Sequence, residues 1–198
     1  MNIKEFLQTR PLSWSAISSW EYDPEQWYKR YILNEKEPDS AAMLFGKELA
    51  NSIENDKPLV PVTIIGKAEH QFKVVFNGIP LVGFVDNFCV ETFRKLGEYK
   101  SGVKAWDQER ADDHGQITMY LMMNYITNKV PPEEVECFLE WVPTEETGDF
   151  KVKFKEPVEV HKFHTKRTMT DIIRFGARIN ATVEAMQKYV DQKEKTKN

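Results

Sequence analysis

The sequence predicts a single mixed α/β domain, and three observations carry this prediction. The chain has 198 residues, the size of one domain with a sizeable core. Its composition, 41% hydrophobic and 29% charged, is that of a globular protein. Stretches with helical and with strand-like apolar spacing follow one another without an internal repeat or a low-complexity linker. We therefore expect one domain over residues 1–198.

Two helices are expected before the first strand. A serine at position 13, 15 or 18 can cap a helix that runs to about Leu33, and Pro24 breaks or kinks this helix. The second helix fits Ala41 to Ile53 and ends in the polar stretch of residues 54–58. Both segments carry apolar residues at helical spacing, so each has a face to bury.

The apolar period then changes to that of strands. Runs rich in β-forming residues cover positions 60–65, 69–77 and 79–90, and a shorter run covers 96–101. The dipeptide Asn77-Gly78 is a strong signal for a two-residue hairpin turn. The pattern therefore predicts three or four strands, two of them joined as a hairpin.

Helix and strand alternate in the second half of the chain. Residues 105–128 have helical spacing, and residues 135–142 form an apolar, strand-like run. Residues 150–154 and 158–163 look like the two arms of a hairpin. A long final helix is expected from Thr168 to about Lys193.

Charge and cysteine content narrow the functional classes. The net charge is −4, but residues 160–198 carry +5, which indicates either a solvated helix face or a surface that meets phosphates. Cys89 and Cys137 are too few for a disulfide framework or a four-thiolate metal or iron–sulfur site. The first 15 residues lack an apolar run of signal-peptide length, and no stretch could span a bilayer. We expect a cytoplasmic protein without membrane contact.

The candidate chemistry centres on Asp86 and on Glu98-Tyr99-Lys100. Alternate side chains of a strand share a face, so Glu98 and Lys100 lie together and Tyr99 points away. If the strand that ends at Asp86 pairs with this one, two carboxylates and an ammonium converge at one end of a sheet. Such carboxylates with a main-chain carbonyl suit Mg²⁺ or Mn²⁺, and the lysine can hold or help to deprotonate an attacking water. A surface strand with one ordinary ion pair is the alternative.

Further polar residues extend this candidate site. Gln116 and Tyr120 are four residues apart on the next predicted helix, so an amide and a phenol can reach the end of the sheet from one helix face. Ser15, Lys29 and Arg30, one hydroxyl and two cations, are candidates for contacts with phosphates. The alternative for each of these three is an ordinary surface side chain.

Three motifs occur in a familiar order: Gly83-x-x-Asp86, Glu98-x-Lys100-Ser101-Gly102 and Gln116-x-x-x-Tyr120. They resemble motifs of the PD-(D/E)XK nuclease superfamily, in its RecB-like exonuclease branch. Residues 12–31, which include Leu12-Ser13-Trp14-Ser15 and Asp23-Pro24-Glu25-Gln26-Trp27, resemble the opening of that branch, and Phe45-Gly46-Lys47-Glu48-Leu49 resembles its next element. The resemblance covers residues 12–142, and a hairpin and basic helix over 150–193 match more loosely, as in short phage-encoded members. It implies a restriction-endonuclease-like fold, with a mixed central sheet flanked by helices and an αβββαβ core.

The resemblance also implies an activity and its residues. The chain would be a metal-dependent DNA nuclease of recombination, repair or phage DNA processing, and the family alone favours an exonuclease. Asp86, Glu98 and the main-chain carbonyl of Tyr99 would bind Mg²⁺ or Mn²⁺. Lys100 would position the attacking water, and Gln116 and Tyr120 would lie near the scissile phosphate. DNA would be the substrate, and a recombination or annealing protein would be a further partner.

Two departures from the family bear on this expectation. The family commonly has a metal-binding histidine where this chain has Ala50, and Asn51, Glu54 or Glu69 are the candidate substitutes, although each is more often an ordinary surface residue. Asp23 stands where iron–sulfur members have their first cysteine, so we expect no iron–sulfur cluster. The missing histidine leaves a second hypothesis open, a catalytically weak module that binds DNA ends or a protein. An RNA nuclease is a third.

Overall fold

The structure is a computed structural model that describes residues 1–35, 38–147 and 151–196. The helices are α1 (Ile3–Thr9), α2 (Trp14–Tyr22), α3 (Pro24–Trp27), α4 (Ala41–Glu54), α5 (Gln108–Asp112), α6 (Gly115–Asn128) and α7 (Met169–Lys195). The strands are β1 (Lys67–Phe76), β2 (Ile79–Phe88), β3 (Lys95–Gly102), β4 (Glu136–Glu146), β5 (Val152–Phe154) and β6 (His161–Thr165). Helix α3 continues into a π-helical turn over Tyr28–Ile32, and a 3-10 turn over Pro132–Glu134 precedes β4. Within these ranges, no helix is both long and apolar enough to cross a membrane.

Within the described ranges, six strands form one mixed sheet in the order β1–β2–β3–β4–β5, with β6 also paired to β4. Strands β3 and β4 are parallel, because α5 and α6 cross over between them, and all other neighbours are antiparallel. Helix α6 packs against β1, β2 and α7 in the main core, whereas α4 packs against β3 and β5 over a smaller apolar cluster. The expected mixed α/β fold with an αβββαβ core is confirmed.

Several local signals produce the structure that they predict. Ser13 caps α2 by accepting a hydrogen bond from a backbone N–H of its first turn. Pro24 separates this helix from the next and begins α3. Asn77 and Gly78 have φ of +49° and +77°, as a type I′ hairpin turn requires. Thr168 caps α7 with a capping box. The polypeptide thus turns and starts helices where the sequence indicates.

The hairpin expected from residues 150–154 and 158–163 is wrong, and residue 150 lies outside the described residues. In the described part of this region, β5 and β6 pair with the outer edge of β4 rather than with each other. Strand β6 covers positions 137–141 of β4, and β5 covers positions 144–146. Because β4 is 11 residues long, its outer edge offers more unpaired backbone groups than either short strand could satisfy alone.

Residues 60–65 do not form the expected strand, because side chains from other segments form hydrogen bonds with their backbone N–H and C=O groups. Glu140 Oε2 accepts a hydrogen bond from Thr63 N at 2.8 Å. Asn87 Nδ2 donates to Thr63 O at 2.8 Å, and Asn87 Oδ1 accepts from Gly66 N at 3.0 Å. Val60 packs into the small apolar cluster under α4. We call residues 60–66 the strap, since they run across the sheet on the side of α4.

The helix expected over residues 105–128 begins only at position 108 and is broken after position 112. Arg167 is buried at the break and donates to the carbonyls of Ala111 and His114, both at 3.2 Å. A continuous helix would need such carbonyls for its own N–H groups. The buried guanidinium therefore favours two helices, α5 and α6, in place of one.

Part of the basic charge of residues 160–198 is paired with carboxylates at the surface of the fold. Arg178 on α7 makes a bidentate ion pair with Glu21, at 2.7 and 2.5 Å. Lys193 pairs with Glu25. These contacts hold α7 against the N-terminal helices, so the surface left to meet phosphates is less basic than the net charge of this segment indicates.

Candidate active site

A cavity opens where β2 and β3 separate. These strands pair only at Asn87–Gly97 and Phe88–Leu96, so they diverge like a fork beyond those positions. The cavity has a volume of about 320 Å³ and is bordered by β1, β2, β3, α4 and the start of α6. The polar residues that line it are Glu69, Asp86, Glu98, Tyr99, Lys100, Ser101 and Gln116. The fork thus brings five of the predicted site residues together.

Lys100 is held by two acceptors in this cavity. Its Nζ donates to Glu98 Oε1 at 2.5 Å and to Gln116 Oε1 at 2.8 Å. Glu98 is only 1% exposed. On the neighbouring strand, Asp86 Oδ2 accepts a hydrogen bond from the backbone N–H of Tyr99 at 2.8 Å. Two carboxylates and one ammonium therefore meet in one cavity, as the strand pattern predicted.

Gln116 connects the cavity to α6. Its Nε2 donates to Tyr120 Oη at 2.7 Å, and that hydroxyl donates to the carbonyl of Phe84. Tyr120 is buried and lies behind Gln116 rather than in the lining of the cavity. A Cβ at Gly83 would lie 2.7 Å from the Tyr120 ring, so glycine is needed there for the phenol to reach β2. Gln116 is consequently a lining residue, and Tyr120 is its support.

Burial and mutual repulsion shift the pKa values of the site. Burial raises the pKa of Asp86 despite the opposing effect of Lys100. Burial, reinforced by the charge of Asp86, raises the pKa of Glu98 to about 8. Burial acts to lower the pKa of Lys100, but the carboxylates of Glu98 and Asp86 outweigh it and raise this pKa. The lysine therefore stays charged at neutral pH, while the two carboxyls resist ionising together.

His114 lies next to this cluster and stays neutral. Burial, helped by the charge of Lys100, lowers the pKa of His114 to about 3. Its ring packs edge-on against Trp14 and Trp106, with ring centroids 5.8 and 5.0 Å away. The imidazole therefore adds no positive charge to the site at physiological pH.

The oxygen atoms of the fork fit a hard divalent cation. Glu98 Oε2 is buried, and among the described residues no N–H or O–H group of geometry suitable for a hydrogen bond reaches it, although the carboxyl of Asp86 lies beside it. The carbonyl of Tyr99 faces the same gap as its N–H, because both groups of a strand residue lie on one edge. In the described ranges, no three His, Cys, Asp or Glu side chains are grouped closely enough to hold a metal ion by themselves. The main-chain carbonyl is therefore the natural third ligand, and oxygen ligands of this kind suit Mg²⁺ or Mn²⁺.

Glu69 lines the cavity, although the sequence interpretation left it among ordinary surface residues. Burial, followed by the charges of Asp86 and Glu54, raises the pKa of Glu69. Its φ of +50° is a left-handed conformation that is uncommon for such a residue in a strand. A sequence signal was present: a two-residue turn at Asn77-Gly78 aligns residue 76 with 79, and hence Glu69 with Asp86.

Ala50, which the resemblance aligns with a histidine, also lines the cavity, so this helix position faces the carboxylates. A methyl group cannot bind a cation. Asn51 and Glu54 are exposed on α4 and lie outside the lining. Of the three candidate substitutes, Glu69 is the one that the structure brings to the cavity.

The candidate nucleic-acid contacts lie outside this cavity. Lys29 and Arg30 line a second cavity of about 590 Å³ together with Arg10 and Lys47, which the sequence interpretation did not single out. Ser15 is exposed and lines a third cavity. Helix α4 separates the second cavity from the carboxylates, since Lys47 faces one cavity and Ala50 the other.

Comparison with known proteins supports the fold. No known family model matches the sequence, and no curated protein does. The solved structures include a match from Eubacterium rectale named "Putative exonuclease". The two chains superpose with a TM-score of 0.58 at 9% sequence identity, and the match covers 92% of this chain and 83% of the other. At this identity the likeness shows the fold alone, so this chain has a nuclease-like fold.

Proposed function

We propose that this protein is a metal-dependent DNA nuclease of the RecB-like branch of the PD-(D/E)XK superfamily, with exonuclease action. The observation that carries the proposal is the fork, where Asp86, Glu98 and Lys100 meet in one cavity and Glu98 Oε2 lacks a hydrogen-bond donor among the described residues. A nuclease-like fold and the name of the structural match, "Putative exonuclease", add support. The roles of the site residues, the identity of the metal and DNA as the substrate all belong to the proposal.

In this proposal each side chain of the fork has its own task. Asp86, Glu98 and the carbonyl of Tyr99 would hold Mg²⁺ or Mn²⁺, which when bound supplies a Lewis acid for a phosphodiester. Lys100 keeps its proton, because two carboxylates face it. Its ammonium can therefore donate to the attacking water or to a phosphate oxygen and orient the reacting groups.

Gln116 and Tyr120 would act on the position of Lys100. The amide oxygen of Gln116 accepts from Lys100, and Tyr120 fixes the amide from behind. The Gln116 amide also faces the cavity, where a scissile phosphate would lie. In this proposal Gln116 touches substrate, and Tyr120 is a positioning residue.

DNA binding would use basic residues that helix α4 separates from the fork. Lys29 and Arg30, with Arg10 and Lys47, line the second cavity together with Glu35 and Asp39, and Lys47 is paired with Asp39. Ser15 offers a hydroxyl in a neighbouring cavity, which Arg10 also lines. These cations would contact phosphates and position the strand without reading its sequence. The net charge of −4 predicts a modest non-specific affinity for DNA, and contacts with phosphates should weaken readily with added salt because binding releases counterions.

A catalytically weak module that binds DNA ends or a protein is the second candidate, and Ala50 is the observation that favours it. The two candidates predict different responses to Mn²⁺ in a calorimetric titration. A nuclease binds Mn²⁺, and Asp86→Asn abolishes the binding heat. A module that has lost its metal site gives no binding heat in the wild type.

The activity itself is tested with a panel of substrates. Purified protein is incubated with Mg²⁺ or Mn²⁺ and with linear duplex DNA, circular duplex DNA, single-stranded DNA or RNA, and each reaction is repeated with EDTA. We expect linear DNA to be degraded and circular DNA to be spared, with no reaction in EDTA. Degradation of circular DNA would indicate an endonuclease, and degradation of RNA alone would exclude a deoxyribonuclease. No degradation of any substrate would overturn the proposed function.

A further inference from the structure

The carboxylates of the fork are not balanced by its cations. Glu69, Asp86 and Glu98 line the cavity, and Lys100 is the cation among its lining residues. Three ionised carboxylates beside one ammonium leave two negative charges, which is the charge of one divalent cation. A buried set of like charges is costly unless a counter-charge is bound. Glu69 therefore has an electrostatic reason to take part in binding a cation.

The backbone brings Glu69 to the cavity at a cost in conformational energy. It is aligned with Asp86 across the β1–β2 hairpin, between the paired positions Ala68–Asn87 and His70–Val85. Its left-handed φ of +50° belongs to a class of strained conformations that cost on the order of 1–3 kcal/mol and cluster at functional sites.

The small side chain of Ala50 leaves room in the cavity for the carboxylate of Glu69. It borders the same cavity from α4, where its methyl group offers no donor atom. The buried Glu98 Oε2, which no hydrogen-bond donor among the described residues reaches, is a second and independent sign that a ligand belongs here. In the described conformation the three carboxylates are not grouped closely enough to hold an ion by themselves, so Glu69, which has three side-chain torsions, has to change rotamer to bring its carboxylate to the other two.

We infer that Glu69 is a carboxylate ligand of the divalent cation, supplied from β1 in place of the helix ligand that position 50 lacks. This inference rests on the proposed function. It adds a residue to the metal site and accounts for a chain that keeps Asp86, Glu98 and Lys100 without the helix histidine.

A titration with Mn²⁺ separates this inference from the proposed function. Wild type, Glu69→Gln and Glu54→Gln are titrated by calorimetry after treatment with EDTA and dialysis. Glu54 is the matched control, since it is an exposed carboxylate near Glu69 that does not line the cavity. We expect Glu69→Gln to weaken Mn²⁺ binding by roughly 10-fold or more, a loss typical of altered metal sites, and Glu54→Gln to bind as wild type does.

The outcomes are distinct. If wild type binds Mn²⁺ and Glu69→Gln binds equally well, the inference is wrong and the proposed function stands. If wild type binds no Mn²⁺, the proposed function fails and the inference with it. Glu69→Asn is tested in parallel, because asparagine tolerates a left-handed φ and also removes the charge. Circular dichroism and thermal unfolding establish that a variant is folded before it is titrated, and Glu69→Asn carries the test if Glu69→Gln does not fold.

Discussion

The backbone N–H of Tyr99 donates a 2.8 Å hydrogen bond to the carboxylate of Asp86, next to the last paired residues of β2 and β3. A side chain thus takes the place of a ladder bond at the point where the two strands separate. The same bond holds Asp86 beside Glu98. Two adjacent buried carboxyls favour either a retained proton or a bound cation. Protonation of this pair should therefore govern both stability and ion binding.

In EDTA, we expect the free energy of unfolding to fall as the pH rises from about 4.5 to about 8. Glu98 has a pKa of about 8 in the folded protein against an ordinary value of 4.5, so the folded state binds more protons in this window. The stabilising effect of this bound proton is complete below the ordinary pKa of 4.5. It is lost as the pH rises through the pKa of about 8 in the folded protein. Urea unfolding at several pH values measures the slope. Glu98→Gln should flatten it, and a wild-type profile with no slope would argue against the buried proton.

Divalent metal should oppose this loss of stability. A cation binds the ionised carboxylates and competes with the proton, so its affinity rises with pH. At a concentration of Mn²⁺ about 100 times its Kd, binding adds about 2.7 kcal/mol to the free energy of unfolding. Thermal unfolding with and without a fixed Mn²⁺ concentration should show a larger shift near pH 7.5 than near pH 5.5. Equal shifts at both pH values, or a shift that survives Asp86→Asn, would count against a carboxylate site.

Gly83→Ala should damage both stability and hydrolysis. The added Cβ would lie 2.7 Å from the ring of Tyr120, which holds Gln116 in place. Overpacking of this kind costs about 1–3 kcal/mol, to be measured by urea unfolding. Gly102→Ala is the control for stability, because nothing lies within 4 Å of a Cβ there. A Gly83→Ala protein with the stability and the DNA hydrolysis rate of wild type would contradict the role of Tyr120.

Local structure was predictable from the sequence because it depends on neighbouring residues. The cap at Ser13, the turn at Asn77-Gly78 and the start of α7 after Thr168 each use a side chain or a backbone preference within a few positions. The fold class followed from the order of such segments. The expected convergence of Asp86 with Glu98 followed from strand alternation together with a family resemblance.

Other features depend on contacts that are distant in sequence. Residues 60–65 have the apolar pattern of a strand, but Glu140 and Asn87 bind their backbone instead. β5 and β6 pair with the edge of β4, and their own residues do not indicate this partner. Helix α1 buries only Ile3 and Leu7, too few residues to show a helical period. Glu69 was named only as one of three candidate substitutes for the missing histidine, because its place in the cavity follows from hairpin register rather than from a motif.

The strap offers a test of these distant contacts. Glu140 is buried on β4 and accepts hydrogen bonds from Thr63 N and Thr63 Oγ1, at 2.8 and 2.5 Å. In Glu140→Gln an amide NH₂ group replaces one of the two carboxylate oxygens, so one Thr63 donor faces another donor. A mismatch of this kind costs about 1–3 kcal/mol of stability. Glu145→Gln, which removes a surface charge from the same strand, should have little effect. Similar urea midpoints for the two variants would show that the strap is not held by Glu140.

Hydrolysis of DNA should depend on Lys100 more than on any other lysine of β3. Lys100→Ala removes the ammonium that Glu98 and Gln116 hold in the cavity, and we expect the rate on linear duplex DNA with Mg²⁺ to fall by about 10²-fold or more. Lys95→Ala is the matched control, because Lys95 is exposed at the far end of the same strand. The decisive measurement is the Mg²⁺-dependent rate of wild type, Lys100→Ala and Lys95→Ala side by side. Loss of hydrolysis in Lys100→Ala alone is the predicted result, and a Lys100→Ala protein as active as wild type would contradict a nuclease site in the fork.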